Sequence, residues 1–142
     1  MKNSIGLILL LLMTPSSLCA GWLHPNESPL RRDELQQAWD EIDKTNSNLP
    51  VMLSKEMQLV RVLIRDEKEF VYKLKTISFS KSQIDPSLMI KNGKPSSANS
   101  LCSVKESLSM LKKGMIYTYS IYDKEDKYIG EYSVTSKDCG IQ

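Results

Sequence analysis

The sequence predicts a small single α+β domain: an antiparallel four-stranded sheet of two hairpins, with helices packed on one face and one disulfide. Three observations predict it. Runs rich in β-branched and aromatic residues occur in pairs across short polar turns, Met57–Arg65 with Phe70–Ser78 and Met115–Tyr122 with Tyr128–Thr135. A stretch with helical spacing precedes each pair. The only cysteines beyond residue 20, Cys102 and Cys139, bracket the second helix and hairpin.

At the N-terminus, Lys2 precedes an uncharged run from Ile5 to Met13, and a polar stretch leads to the small residue Ala20. A positive start, a short apolar run and a small residue describe a secretory signal peptide over residues 1–20, in a bacterial style. The run is too short to span a bilayer, which takes about 20 apolar residues. Cleavage is expected after Ala20, with cleavage after Cys19 as the second choice. Lipidation of Cys19 is a third alternative, disfavoured by the bulk of Leu18 immediately before it.

Residues 21–142 are then expected to form one domain, led by a flexible arm over 21–27. About 122 residues can bury one modest core and no second one. The whole chain carries 19 Lys and Arg against 17 Asp and Glu, interspersed along it. Without a basic stripe there is no electrostatic footprint for nucleic acid. After signal cleavage no membrane span is expected, and the destination is the periplasm or the exterior.

Export also decides the cysteines. Loss of Cys19 leaves Cys102 and Cys139 as an even pair bound for an oxidising compartment. A bridge closing a loop of that length stabilises by roughly 4 kcal/mol on the chain-entropy model.

Taken in order, the arm contains His24 and the formal sequon Asn26-Glu27-Ser28, whose use Pro29 disfavours. Ser28-Pro29 is placed to cap and open a helix of about Leu30–Lys44. On it Leu35, Ala38, Trp39 and Ile42 share the core face, while Glu34, Gln37, Asp40 and Glu41 point away. Leu49-Pro50 leads into the first hairpin. There Val60, Val62 and Ile64 share one face, as do Phe70, Tyr72 and Leu74. The reverse faces carry Arg61, Arg65, Lys73 and Lys75 but also Leu59, Leu63, Val71 and Ile77. Neither side is cleanly polar, so partial cover on the second face is expected.

Asp85-Pro86 should start a short helix, Ser87–Lys91, with Gly93 as its stop and Lys94–Ser100 as a loop. Ser103 and Glu106 have the spacing of a capping box for the next helix. Val104, Leu108 and Leu111 face its core side, Lys112-Lys113 suit its C-terminal dipole, and Gly114 ends it. In the last hairpin Met115, Tyr117, Tyr119 and Ile121 alternate with Ile116, Thr118, Ser120 and Tyr122. In the return strand Tyr128, Tyr132 and Val134 alternate with Ile129, Glu131 and Ser133. Gly130 inside it suggests a bulge or a close backbone approach.

Catalytic and metal sites find no support. The single histidine lies in the arm, so no Ser-His-Asp or Cys-His set can be completed. Asp123, Glu125 and Asp126 lack the glycine and terminal glutamate of a calcium loop. Glu34 with Glu41, or Glu131, could serve as paired carboxylates only inside a cleft. No cofactor and no metal are expected, and the chain is not expected to be an enzyme.

One feature departs from background. Five of the six tyrosines, Tyr117, Tyr119, Tyr122, Tyr128 and Tyr132, lie in one hairpin. Tyrosine supplies broad rigid contact area with a polar tip, so these residues are the candidate binding surface. The expected function is an exported protein-interaction module, either an accessory factor of a bacterial secretion, pilus or conjugation system or an immunity or inhibitor protein. The alternative is a binder of cell-wall glycan or a small ligand.

Overall fold

The computed structural model describes residues 28–142; the expected signal peptide, the arm and His24 lie outside the described residues. The elements run α1 (Arg32–Asn46), β1 (Val51–Met52), β2 (Met57–Arg65), β3 (Glu69–Thr76), α2 (Pro86–Ser103), α3 (Lys105–Lys113), β4 (Ile116–Tyr122) and β5 (Tyr128–Val134). Short 3₁₀ turns occupy Lys81–Gln83 and Ser136–Cys139.

Both expected hairpins form, but the sheet has five strands in the order β1-β2-β3-β4-β5, and β3 runs parallel to β4. This corrects the four-stranded antiparallel sheet, and the cause is the length of α2. Eighteen helical residues reach about 27 Å, enough to carry the chain back along the whole of a strand. The chain therefore re-enters the sheet beside the start of β3, where the Ile116 N–H donates to the Lys68 carbonyl at 3.0 Å. A long crossover of this kind is what parallel neighbours require.

Gly93 does not stop α2, and Lys94–Ser100 is helix rather than loop. A Cβ on Gly93 would lie 2.9 Å from Cε1 of Tyr132 and 3.0 Å from its hydroxyl. Glycine is there so that the helix can approach the β5 ring, and tertiary packing outweighs its poor helix propensity. Beside it, the Ser97 and Tyr132 hydroxyls bond at 2.8 Å.

The capping box at Ser103 and Glu106 does not form either. Ser103 ends α2 and donates to the Asn99 carbonyl at 2.6 Å, while Val104 stands at the start of α3. Helix α1 begins two residues late, at Arg32, because Glu34 reaches back to accept from the Arg31 N–H at 3.0 Å. Gly114 does end α3, in the left-handed conformation at φ 104°.

Bulges decide which side chains face inward. In β2 the register slips at Val60, which brings Leu59 onto the face of Val62 and Ile64 and corrects the expected alternation. In β5 the slip falls at Ile129, beside Gly130 as expected. It turns Ile129 into the core and sends Tyr128 to the far face, opposite Tyr122, rather than leaving it with Tyr132 and Val134.

All three helices pack on one face of the sheet, and the core lies between. Its members include Ile42, Ala98 and Leu111 from the helices and Val62, Phe70, Leu74, Ile121 and Val134 from the strands. Among the described residues no helix covers the other face. Val71, Thr118 and Ser120 are nonetheless buried there, beside a polar group in which Arg65 pairs with both Glu69 and Glu131.

Cys102 and Cys139 form the expected disulfide, with Cα atoms 5.5 Å apart. Cys102 sits in the last turn of α2 rather than ahead of a helix cap, so the bridge ties that turn to the short helix after β5. A second clip is built on Asp123, which is fully buried. Its carboxylate accepts from the backbone N–H groups of Lys81 at 2.8 Å, Glu125 at 2.9 Å and Lys127 at 2.8 Å. It thus holds the loop before α2 against the β4–β5 turn.

Candidate functional site

Helices α1 and α3 do not close over the sheet. Between them runs a groove of about 400 Å³ floored by Val62, Phe70, Tyr72 and Tyr117. On α1, Glu34, Gln37, Ala38, Glu41, Ile42 and Thr45 line one wall, a set that repeats at the helical period. Ala38 and Ile42 are packed against the core, and the acidic residues form the rim. Glu106, Met110 and Lys113 of α3 line the other wall. Glu34, Gln37 and Glu41 therefore border a groove instead of pointing into open solvent.

The ends of the two helices are joined across this groove. Lys113 Nζ lies 2.5 Å from Glu34 Oε1, placing a cation in the last turn of α3 and an anion in the first turn of α1, each favourable for its helix dipole. The hydrogen bond from Lys113, helped by the Arg31 N–H, holds the Glu34 carboxyl below its usual range. That is the opposite of what a general acid needs. Glu41 and Glu106 have no ion-pair partner among the described residues.

The floor is an aromatic ladder. Phe70 and Tyr117 lie 5.1 Å apart, and stacked contacts continue from Tyr117 to Tyr72 at 6.1 Å, to Tyr119 at 5.4 Å and to Tyr132 at 5.2 Å. Burial raises the proton affinity of both Tyr72 and Tyr117. Tyr117 is 6% exposed, yet no hydrogen bond within the described residues reaches its hydroxyl or that of Tyr72. Since every fully buried side-chain polar atom of the described residues has a partner, neither hydroxyl is fully sealed off, and both residues line the groove.

The structure divides the five candidate tyrosines. Tyr117, Tyr119 and Tyr132 lie beneath the helices, and only Tyr117 lines the groove. Tyr122 and Tyr128 meet edge to face at 5.7 Å on the opposite side of the sheet, where Lys73 Nζ lies 5.7 Å above the Tyr122 ring. Tyr128 is 47% exposed. Tyr72, Phe70, Met110, Glu106 and Lys113 were not legible as site residues. A helical wheel reports which residues share a face, not whether a neighbouring helix comes close enough to bury them.

Other concavities lie elsewhere on the surface. Trp39, expected in the core, is 37% exposed beside a separate depression of about 730 Å³ rimmed by Arg32, Gln36 and Glu67. A further hollow beside the disulfide is lined by Lys91, Lys94 and Asp138, and Lys94 and Asp138 pair at 3.4 Å. Among the described residues no cluster of three or more His, Cys, Asp or Glu is placed to hold a metal, and no helix is long and apolar enough to cross a membrane.

No protein-family model and no curated protein matches the chain. Solved structures do. A protein of Pseudomonas aeruginosa described as secreted matches with a TM-score of 0.59 at 16% identity, over 75% of this chain and 94% of its own. The pilotin EpsS of the Vibrio vulnificus type 2 secretion system matches with a TM-score of 0.59 at 15% identity, over 78% and 96%. The fold is one shared with pilotins. A second, the type II secretion pilotin AspS of Vibrio cholerae, matches with a TM-score of 0.56 at 16% identity, over 76% and 94%. At these identities the likeness is one of fold.

Proposed function

We infer that this chain is an exported, non-enzymatic accessory factor of a bacterial secretion or pilus-type machine, and that it acts by binding another protein. The observation that carries the reading is the groove between α1 and α3, a largely apolar groove walled by two helix faces, a form that protein partners use. The fold shared with two pilotins supports the choice of a secretion machine over an immunity protein or inhibitor.

Residues 1–20 direct export and are removed with it, and the disulfide forms in an oxidising compartment. Of the hairpin tyrosines, Tyr117 is assigned to the groove floor, with Tyr119 and Tyr132 supporting it from behind. Tyr122 and Tyr128 form a second, weaker contact surface on the open face.

The test is crosslinking in the native cells followed by recovery of the tagged protein and identification of what comes with it by mass spectrometry. One stoichiometric protein of an envelope machine is the expected result. Recovery of wall fragments or of no protein would sink this reading and favour a glycan or small-ligand binder, for which Trp39 and its neighbouring depression are the available site. Loss of partner in a Tyr117→Ala variant but not in Tyr128→Ala would assign the binding to the groove.

A further inference from the structure

One end of the sheet carries a surface that the groove does not use. Strands β1, β3 and β4 finish there while β2 and β5 start, so the loop over 53–56, the segment over 77–79 and the β4–β5 turn come together. The Ile77 N–H donates to the Glu56 carbonyl at 3.2 Å and the Lys124 N–H to the Phe79 carbonyl at 3.1 Å, which joins the three segments into one rim. The buried Asp123 carboxylate holds the same rim through the N–H groups of Lys81 and Lys127.

Nine large hydrophobic residues are exposed among the described residues, and six of them, Val51, Met52, Leu53, Ile77, Phe79 and Tyr128, belong to this rim. Met52 and Tyr128 close the two ends of one cross-strand row, Met52, Gln58, Lys75, Tyr122 and Tyr128, so the rim spans all five strands. Exposed apolar residues scattered singly carry no message, but a cluster marks a site of contact.

Cations are interleaved with them. Lys55 lies two residues from Leu53, Lys81 two from Phe79, and Lys127 adjoins Tyr128 in the turn that also holds Lys124. All four are exposed and without ion-pair partners among the described residues. In the next row inward Arg61 and Lys73 stand directly opposite each other, like charges that nothing printed neutralises by ion pairing. The acidic groups here are fewer. Asp126 is engaged by Lys75 at 2.7 Å, Glu125 accepts from the Ser80 hydroxyl at 3.1 Å, and Asp123 is buried, which leaves Glu56.

This mixture suits a lipid surface better than a protein. The core of a protein interface is depleted in lysine, whereas at a membrane apolar side chains enter the boundary between headgroups and acyl chains while lysine stems lie along them and hold their charges at the phosphates.

We propose that this end of the sheet docks on an anionic phospholipid surface, with Leu53, Ile77 and Phe79 entering below the headgroups, Tyr128 at their level and the flanking lysines on the lipid phosphates. The inference goes beyond the protein-binding reading and does not compete with it. Phe70 and Tyr117 of the groove floor lie at the starts of β3 and β4, the opposite end of the sheet, so a partner in the groove leaves this rim free.

The test is flotation of the mature, unlipidated protein with vesicles of phosphatidylcholine alone and of equal parts phosphatidylcholine and phosphatidylglycerol. Partition to the anionic vesicles is expected to be about tenfold or more stronger and to weaken with added salt. One lysine near such a surface contributes about fivefold, so Lys124→Gln with Lys127→Gln should lose about tenfold or more. Lys112→Gln, at an exposed position of α3, removes a charge on the helix side and should change nothing. Leu53→Ser with Phe79→Ser should also release the protein. Hydrogen exchange of the unaltered protein gives a reading that no loss of fold can confuse: on anionic vesicles it should slow over 53–56 and 77–79 and stay unchanged over 66–68, in the turn at the other end. No binding, equal binding to the two kinds of vesicle, full binding by the Leu53→Ser/Phe79→Ser protein, or slowing at 66–68 in place of the rim would overturn the inference. A protein contact mapped to this rim by crosslinking in the native cells would overturn it too, while leaving the accessory role standing.

Discussion

Replacing Gly93 by alanine sets two physical effects against each other. In an exposed helix interior the change stabilises by about 0.8–1.0 kcal/mol, because glycine has more backbone freedom to lose on folding. Here the added Cβ would sit 2.9 Å from Tyr132 Cε1, 3.0 Å from the hydroxyl and 3.1 Å from Cζ. The ring is not free to swing aside, since it stacks on Tyr119 at 5.2 Å and bonds to Ser97 at 2.8 Å. Overpacking of a fixed neighbour costs about 1–3 kcal/mol. The net expectation is a loss of about 0–2 kcal/mol. A domain of this size loses about 4 °C of melting temperature per kcal/mol, so thermal unfolding by circular dichroism should shift down by up to roughly 8 °C. Ser96→Ala, at an exposed position of the same helix, reports propensity alone and should raise it slightly. A Gly93→Ala protein that melts higher than its parent would refute the close approach of α2 to β5.

Three further outcomes are expected. Cys102→Ser with Cys139→Ser should lower stability by about 4 kcal/mol, a large share of the roughly 5–15 kcal/mol of a whole domain, and denaturant unfolding of the two forms measures it. For Asp123, burial alone would raise the carboxyl pKa, but the N–H groups of Lys127, Lys81 and Glu125 outweigh it and the folded value is lowered. Its stabilising contribution is therefore complete above the unfolded value of about 4 and is lost as pH falls through the lower folded value, so the Lys81 amide should lose hydrogen-exchange protection only in strong acid. In Asp123→Ala the same amide should exchange freely at neutral pH; continued protection there would contradict the clip. Mass spectrometry of the exported protein should find its N-terminus at Gly21; an acylated Cys19 at the N-terminus would instead show cleavage ahead of that cysteine and lipid anchoring.

Met57 to Arg65 and Phe70 to Ser78 were readable as a hairpin because a short polar tip allows only one return path. Beyond Lys91 the helix that reaches Ser103 was not, because Gly93 looks like a stop and Lys94–Ser100 like a loop when only local propensity is weighed. The reason for Gly93 lies in Tyr132, some forty residues away, and no local pattern contains it. The error in the length of that helix carried the error in strand direction with it.

Local chemistry in the sequence determined the α+β class, both hairpins, the glycine stop at Gly114, the disulfide pair and the concentration of tyrosine, since each depends on neighbours within a turn or on a count of residues. Tertiary structure alone decided the rest. Two one-residue bulges chose which side chains face inward, because a shift of one reverses every face of a strand. The groove exists because α1 and α3 stand apart over Tyr72 and Tyr117, and the spacing of two helices is set by what packs beneath both of them, not by the periodicity of either.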